Sequence, residues 1–103
     1  VAPKSRKWFA TTNPATNEKL SDIATAGGAD VNAAVLAAKK ALPKWSRLKG
    51  SQRAKYLYRI ARRIQERARE LSIIETMDGG KPIKESRDVD IPLVAQHFFY
   101  NAG

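Results

Sequence analysis

The chain has 103 residues, which fits one domain at most. A hydrophobic fraction of 43% and a charged fraction of 28% are ordinary for a folded globular protein and argue against disorder. Nineteen Lys and Arg against ten Asp and Glu give a formal charge of +9, a balance that attracts nucleic acid, an acidic membrane surface or an acidic protein partner.

Cysteine is absent, which removes disulfides, thiolate-bound metals and thiol nucleophiles. The single histidine, His97, removes multi-histidine metal sites. No apolar run approaches the length of a membrane span, and Val1-Ala2-Pro3-Lys4 shows no signal-peptide apolar region. A cytoplasmic location is therefore expected.

Residues 1–6 are short, basic and contain Pro3, so they read as a mobile lead-in. Residues 7–12 are rich in aromatic and β-branched types, and residues 19–25 form a second, less regular stretch. Between them Asn13-Pro14-Ala15-Thr16-Asn17 has turn chemistry, because proline fixes φ and asparagine tolerates positive φ. Residues 7–25 are thus expected to form a β-hairpin.

Gly27-Gly28 ends that unit. The apolar positions Val31, Ala34, Val35, Ala38 and Leu42 share one face and predict a helix over 29–42, with Pro43 as its stop. Ser51 is the expected N-cap of the next helix. There Ala54, Leu57, Ala61, Ile64, Ala68 and Leu71 recur every three or four residues, a stripe that should face protein. Ile73, Ile74 and Met77 continue it, so 51–78 reads as a helix pair with a kink near Ser72, closed by Gly79-Gly80 and Pro82. Residues 81–90 read as a polar connection. Asp90 is placed to cap a third helix over 90–103, with Pro92 in its first turn. The segment is expected to be mostly α with an N-terminal β-hairpin.

Several signals invite a chemical reading. Arg53, Lys55, Arg59, Arg62, Arg63, Arg67 and Arg69 lie mainly on the half of the second helix away from the apolar stripe. That arc is able to track phosphates, but Glu66 and Glu70 fall within it and pair with arginines three or four residues away, which weakens such a track. A solvated or inter-subunit face is favoured and nucleic acid is disfavoured. Gly79-Gly80-Lys81 lacks the first glycine and the final Ser or Thr of a phosphate loop. Gly27-Gly28 lacks the third glycine of a dinucleotide fingerprint. His97 reads as a packing residue. Asp88 and Asp90 diverge on a helix, so capping or ion ligation remain for Asp90.

These residues align with a known pattern. Asn13-Pro14-Ala15-Thr16 followed by Glu18 resembles the "N-P-A-T-G-E" opening of aldehyde dehydrogenases, with Asn17 where that family has Gly. Glu75-Thr76-Met77-Asp78-Gly79-Gly80-Lys81-Pro82 resembles its "E-T-x-D-x-G-K-P" block. Asp90-Ile91-Pro92 with Tyr100-Asn101-Ala102-Gly103 resembles its "D-V-P … Y-x-A-G" segment. The similarity runs from about residue 7 to 103.

The resemblance implies a much longer α/β, Rossmann-like enzyme that oxidises aldehydes to acids with NAD or NADP. In it residues 1–103 form the N-terminal portion of the coenzyme-binding domain. The family's cysteine nucleophile, glutamate and coenzyme-binding glycines all belong to later sequence. This segment is therefore expected to hold no catalytic and no cofactor-binding residue, and to bind no cofactor alone. Its partner is the rest of the chain, in a homodimer or homotetramer. The resemblance also implies a monovalent cation site on the backbone carbonyls of Thr11 and Thr12 and the carboxylate of Asp90, and oxygen donors of that kind suit a hard cation.

Overall fold

The computed structural model describes residues 2–103. Strands β1 (Trp8–Thr12) and β2 (Lys19–Ala24) form an antiparallel hairpin. Helices α1 (Gly28–Ser46), α2 (Gly50–Glu66) and α3 (Ala68–Gly79) follow. The last stretch is continuous: a short α4 (Ile83–Glu85), a π-helical turn (Ser86–Asp90) and α5 (Ile91–Ala102).

The hairpin is made by its turn. Asn13 Oδ1 accepts the Ala15 N–H at 2.9 Å, and the Asn13 N–H donates to the Glu18 carbonyl at 2.9 Å. Asn17 sits at φ 61°, a left-handed position that asparagine tolerates better than most non-glycine residues. The register slips between Thr11 and Thr12, so a bulge closes the ladder at the turn end.

Residues 2–6 are held rather than loose. Pro3 is buried, the Lys4 N–H donates to Asp30 Oδ1 at 2.9 Å, and Ser5 Oγ donates to the Thr25 carbonyl at 2.7 Å. The expectation of a mobile lead-in missed that Asp30 has two oxygens. One accepts the Gly27 N–H at 3.0 Å, closing the first turn of α1, and the other reaches Lys4.

Proline does not stop α1, which runs past Pro43 to Ser46. Proline's φ is itself helical, and its costs, one lost hydrogen bond and crowding of the Lys39 carbonyl, fall close to where the helix ends. Ser51 is not the cap of α2 either. The helix begins at Gly50, and Gln52 Oε1 accepts the Lys49 N–H at 3.1 Å. The break between α2 and α3 lies at Arg67, with φ −105° and ψ 16°, five residues before the expected kink at Ser72. Ala68 and Leu71 keep the apolar spacing across it, so the stripe gives no sign of the break.

The core is thin and built from small residues. The most extensive packing is between α2 and α5. At its centre Ala61 is 0% and Ala95 1% exposed, while Leu57 and Ile64 are half-buried. Alanines at a crossing let two helices approach closely. Tyr58 and Phe99 add a tilted ring pair at 5.8 Å, and Trp45 and Tyr56 join the end of α1 to α2 at 5.7 Å. A second contact is polar. Ser72 and Ser86 are fully buried where α3 meets the π turn, and Thr76 Oγ1 donates to Ser86 Oγ at 2.9 Å.

The molecule is a slab of 48 × 38 × 15 Å. One helix with its side chains is about 10–12 Å across, so this is a single layer. Its radius of gyration is 17.2 Å, whereas about 13 Å is usual for a 100-residue domain. Its accessible surface is 8340 Å², against about 5,800 Å² for a compact monomer of this mass. No residue of α1 is buried; Leu36 is 66% and Leu42 57% exposed. Domains normally bury an apolar face against a second layer, and this layer lacks one.

Two outcomes follow. Ala61→Leu should overpack the α2–α5 crossing and cost about 1–3 kcal/mol in urea unfolding, whereas Arg62→Ala should stay within about 0.5 kcal/mol. The backbone N–H bonds from Lys4 and then Gly27 hold the Asp30 carboxyl below its ordinary pKa. Stability from this group is present above the unfolded carboxylate pKa, about 3.9, and is lost as pH falls through the lower folded value. The thermal midpoint of Asp30→Asn should fall below wild type near neutral pH, and the gap should close on acidification below pH 4. A gap that persists unchanged at low pH would show that the charge is not what matters.

Candidate functional site

Three stretches that are distant in sequence meet at the C-terminal end of α3. Gly80 caps that helix at φ 74°, a left-handed position, and its N–H donates to the Thr76 carbonyl at 2.9 Å. A methyl placed on Gly80 would lie 2.6 Å from Cγ of Pro14. Glycine is thus required twice here, for the backbone angle and for the approach of the hairpin turn. The next residue, Lys81, turns back toward the final helical stretch. Its ammonium lies 2.7 Å from Asp90 Oδ2 and 3.1 Å from Glu75 Oε1. Each of the three side chains is about one-third to two-fifths exposed. The hydrogen bond to Asp90, then that to Glu75, pushes the Lys81 pKa above the ordinary lysine value.

Asp90 is not a helix cap. Its backbone is helical and its side chain caps nothing, because the chain is already helical from Ile83. The stretch 81–90, expected as a polar connection, forms α4 and the π turn instead. Its polar side chains find partners: Ser86 bonds with Thr76, Arg87 with Asp88, and Asp90 with Lys81. Thr11 and Thr12 stand at the end of β1, three and two residues before Pro14. The hairpin turn and Asp90 therefore flank the same Gly80-Lys81 corner. Among the described residues no three His, Cys, Asp or Glu side chains gather closely enough to hold a metal ion. The Asp90 carboxylate pairs with the Lys81 ammonium.

The other sequence candidates are dispersed. His97 is exposed on α5, and its carbonyl accepts the Asn101 amide at 2.8 Å. Most of the basic arc on α2 is exposed, and its acids are interleaved as expected. Arg63 pairs with Glu66 at 2.8 Å and Arg67 with Glu70 at 2.6 Å, all well solvated, so each pair adds little stability. No helix among the described residues is long and apolar enough to cross a membrane. An open apolar groove runs between the hairpin and α3, lined by Phe9, Leu20, Ile23, Ile74 and Met77. It has the alternate-residue logic of a half-buried hairpin face, but its two walls are lined by residues far apart in the chain, Phe9 to Ile23 on one side and Ile74 and Met77 on the other, so sequence periodicity did not reveal it. Lys81 was missed as a bridge because its two acids are six residues before and nine residues after it, on separate elements.

The profile of the aldehyde dehydrogenase family matches residues 1–103. The chain is 42% identical over 102 residues to fluoroacetaldehyde dehydrogenase of Streptantibioticus cattleyicolor, which covers 99% of this chain and 20% of that protein. It is 38% identical over 103 residues to acetaldehyde dehydrogenase 2 of Cupriavidus necator, covering 100% of this chain and again 20% of the relative. Among solved structures, the NAD+ complex of an aldehyde dehydrogenase from Bacillus cereus superposes with a TM-score of 0.95 at 35% identity, over 100% of this chain and 21% of that one.

The chain belongs to the aldehyde dehydrogenase family, whose structures have an α/β fold. It corresponds to an N-terminal segment and spans about one-fifth of the length of the relatives it matches.

The Gly80 corner is directly testable. Gly80→Ala combines backbone strain with the Pro14 clash and should cost about 2–4 kcal/mol. Adding Pro14→Ala should recover the clash but leave the strain. Full recovery in the double variant, or none, would contradict this division.

Proposed function

We propose that residues 1–103 are the N-terminal scaffold portion of the coenzyme-binding domain of an NAD(P)-dependent aldehyde dehydrogenase that converts aldehydes to carboxylic acids in the cytoplasm. The carrying observation is the single uncovered layer. It leaves about 2,500 Å² more surface exposed than a compact protein of this mass, and that surface includes the apolar side of α1 and the groove between hairpin and α3. A face of this kind is covered by further polypeptide, and relatives about five times as long supply a source for it.

The bound nicotinamide would supply hydride acceptance in the whole enzyme. The segment contains no cysteine that could attack an aldehyde, and its Lys81–Asp90 and Thr76–Ser86 contacts are an ion pair and a hydroxyl pair. The contribution of these residues is support: they fix the hairpin, the α3 terminus and the final helix relative to one another. The parent enzyme is proposed to work as a homodimer or homotetramer with NAD or NADP.

Residues 1–103 alone should show no saturable heat with NAD in calorimetric titration and no NADH absorbance with any aldehyde. The polypeptide continued through the family's later sequence should show both. Micromolar NAD binding by the 103 residues alone would overturn the scaffold assignment.

A further inference from the structure

We infer that the exposed side of α2 and the start of α3 form a docking groove for an acidic amphipathic helix of a partner protein. Twelve Lys and Arg but only two acids fall within residues 39–70, against seven Lys and Arg and eight acids in the rest of the chain. The whole excess of +9 therefore resides in the end of α1, in α2 and in the first residues of α3. An open groove on that stretch is lined by Ile60, Ile64 and Leu71 together with Arg59, Arg63 and Arg67. The three arginines and Ile60 are exposed, and Ile64 and Leu71 are half-buried. The surface inside the groove is almost wholly apolar. The arginines thus lay their methylene stems along it and carry their guanidiniums to its margin.

The chemistry of the occupant follows from this lining. From Arg59 to Leu71 the groove is about 18 Å long at 1.5 Å per residue, room for about three turns of a helix laid in it. Its apolar floor suits anchors three or four residues apart on such a helix. Carboxylates beside those anchors would meet the guanidiniums, which bind them in a two-pronged way. No carboxylate lies three or four residues from Arg59 on its own helix. Arg63 and Arg67 pair with Glu66 and Glu70, but those pairs are well solvated, so exchanging them for a partner's acids costs little. A nucleic-acid backbone fits less well, because Glu66 and Glu70 would face its phosphates and the apolar floor would meet nothing complementary. Further polypeptide of a longer chain also fits less well than it does the groove between hairpin and α3. Sealing three guanidiniums inside a protein is costly unless each is paired, whereas a reversible interface keeps its charged rim in water.

The test uses the full-length protein and a fluorescein-labelled helical peptide of about four turns, with leucines along one face and glutamates flanking them. Anisotropy titration at low salt should give saturable micromolar binding, weakened at least about tenfold by Arg59→Glu with Arg63→Glu. Ile60→Asn leaves the charge unchanged and should also weaken binding about tenfold. If that variant does not fold, Ile60→Ala replaces it, with a smaller loss expected in the same direction. Neither NAD nor an aldehyde enters the measurement, so its outcome is independent of the proposed activity. Absence of saturable binding, or equal binding of a peptide with the same residues in scrambled order, would overturn the inference. So would a DNA duplex that binds more tightly than the peptide and is indifferent to the Ile60 change, which would make the surface a phosphate track. A change of oligomeric state in the Ile60 variant, read by sedimentation, would assign the groove to a second copy of this chain and overturn the inference as well.

Discussion

The close approach of Pro14 to Gly80 sets the arrangement of this layer. A two-stranded hairpin is at best marginal by itself in water, so its position must come from what it touches. Here the turn that makes the hairpin also packs on the turn that ends α3. Because Gly80 has no Cβ and takes a left-handed angle, the Pro14 ring packs directly on its backbone. Lys81 then starts from a fixed point, and its ion pairs with Glu75 and Asp90 carry the constraint into the last helix. At the other end of the hairpin, Asp30 performs a comparable task by holding Gly27 and Lys4 together.

The rest of the layer is assembled from small residues. Ala61 and Ala95 bring α2 and α5 together, and Ser72 with Ser86 bring α3 to the π turn. Buried hydroxyls are tolerated because each has a partner: Ser72 Oγ donates to the Ala68 carbonyl at 2.7 Å, and Ser86 Oγ accepts from Thr76. Such contacts fix geometry but remove little apolar surface from water. The large apolar side chains, Trp8, Phe9, Leu36 and Leu42 among them, remain mostly exposed. The interior of this layer is specified by its small residues, while its large apolar residues stay on its exposed faces.

What was legible in the sequence follows the range of the forces involved. Local signals read well: the Asn-Pro turn between two β-rich stretches, the apolar face of α1, and the long stripe of α2 and α3. Failures came where a contact distant in sequence decided the outcome. Lys4 appeared loose because its partner is Asp30, 26 residues away. Residues 81–90 appeared to be a linker because Lys81 and Ser86 satisfy Glu75 and Thr76 on α3, which no local pattern announces. Ser51 has a good capping side chain, yet Gln52 took the neighbouring donor and moved the helix start. The family motifs were legible as motifs, and the reason for their co-occurrence was not: N-P-A-T, G-G-K-P and D-I-P converge on one corner.

The π turn explains how one residue in that corner is aimed. A bond from residue i to i+5 inserts one residue relative to a regular helix, and each residue corresponds to about 100° of rotation. Had α4 and α5 formed one regular helix, the residues before the insertion would be rotated by that amount relative to those after it. Asp90 would then not reach Lys81 while Ala95 stayed against α2, or Ser86 would not stay against Thr76. The widened turn lets Ser86, Asp90 and Ala95 each face a different neighbour from a single continuous stretch.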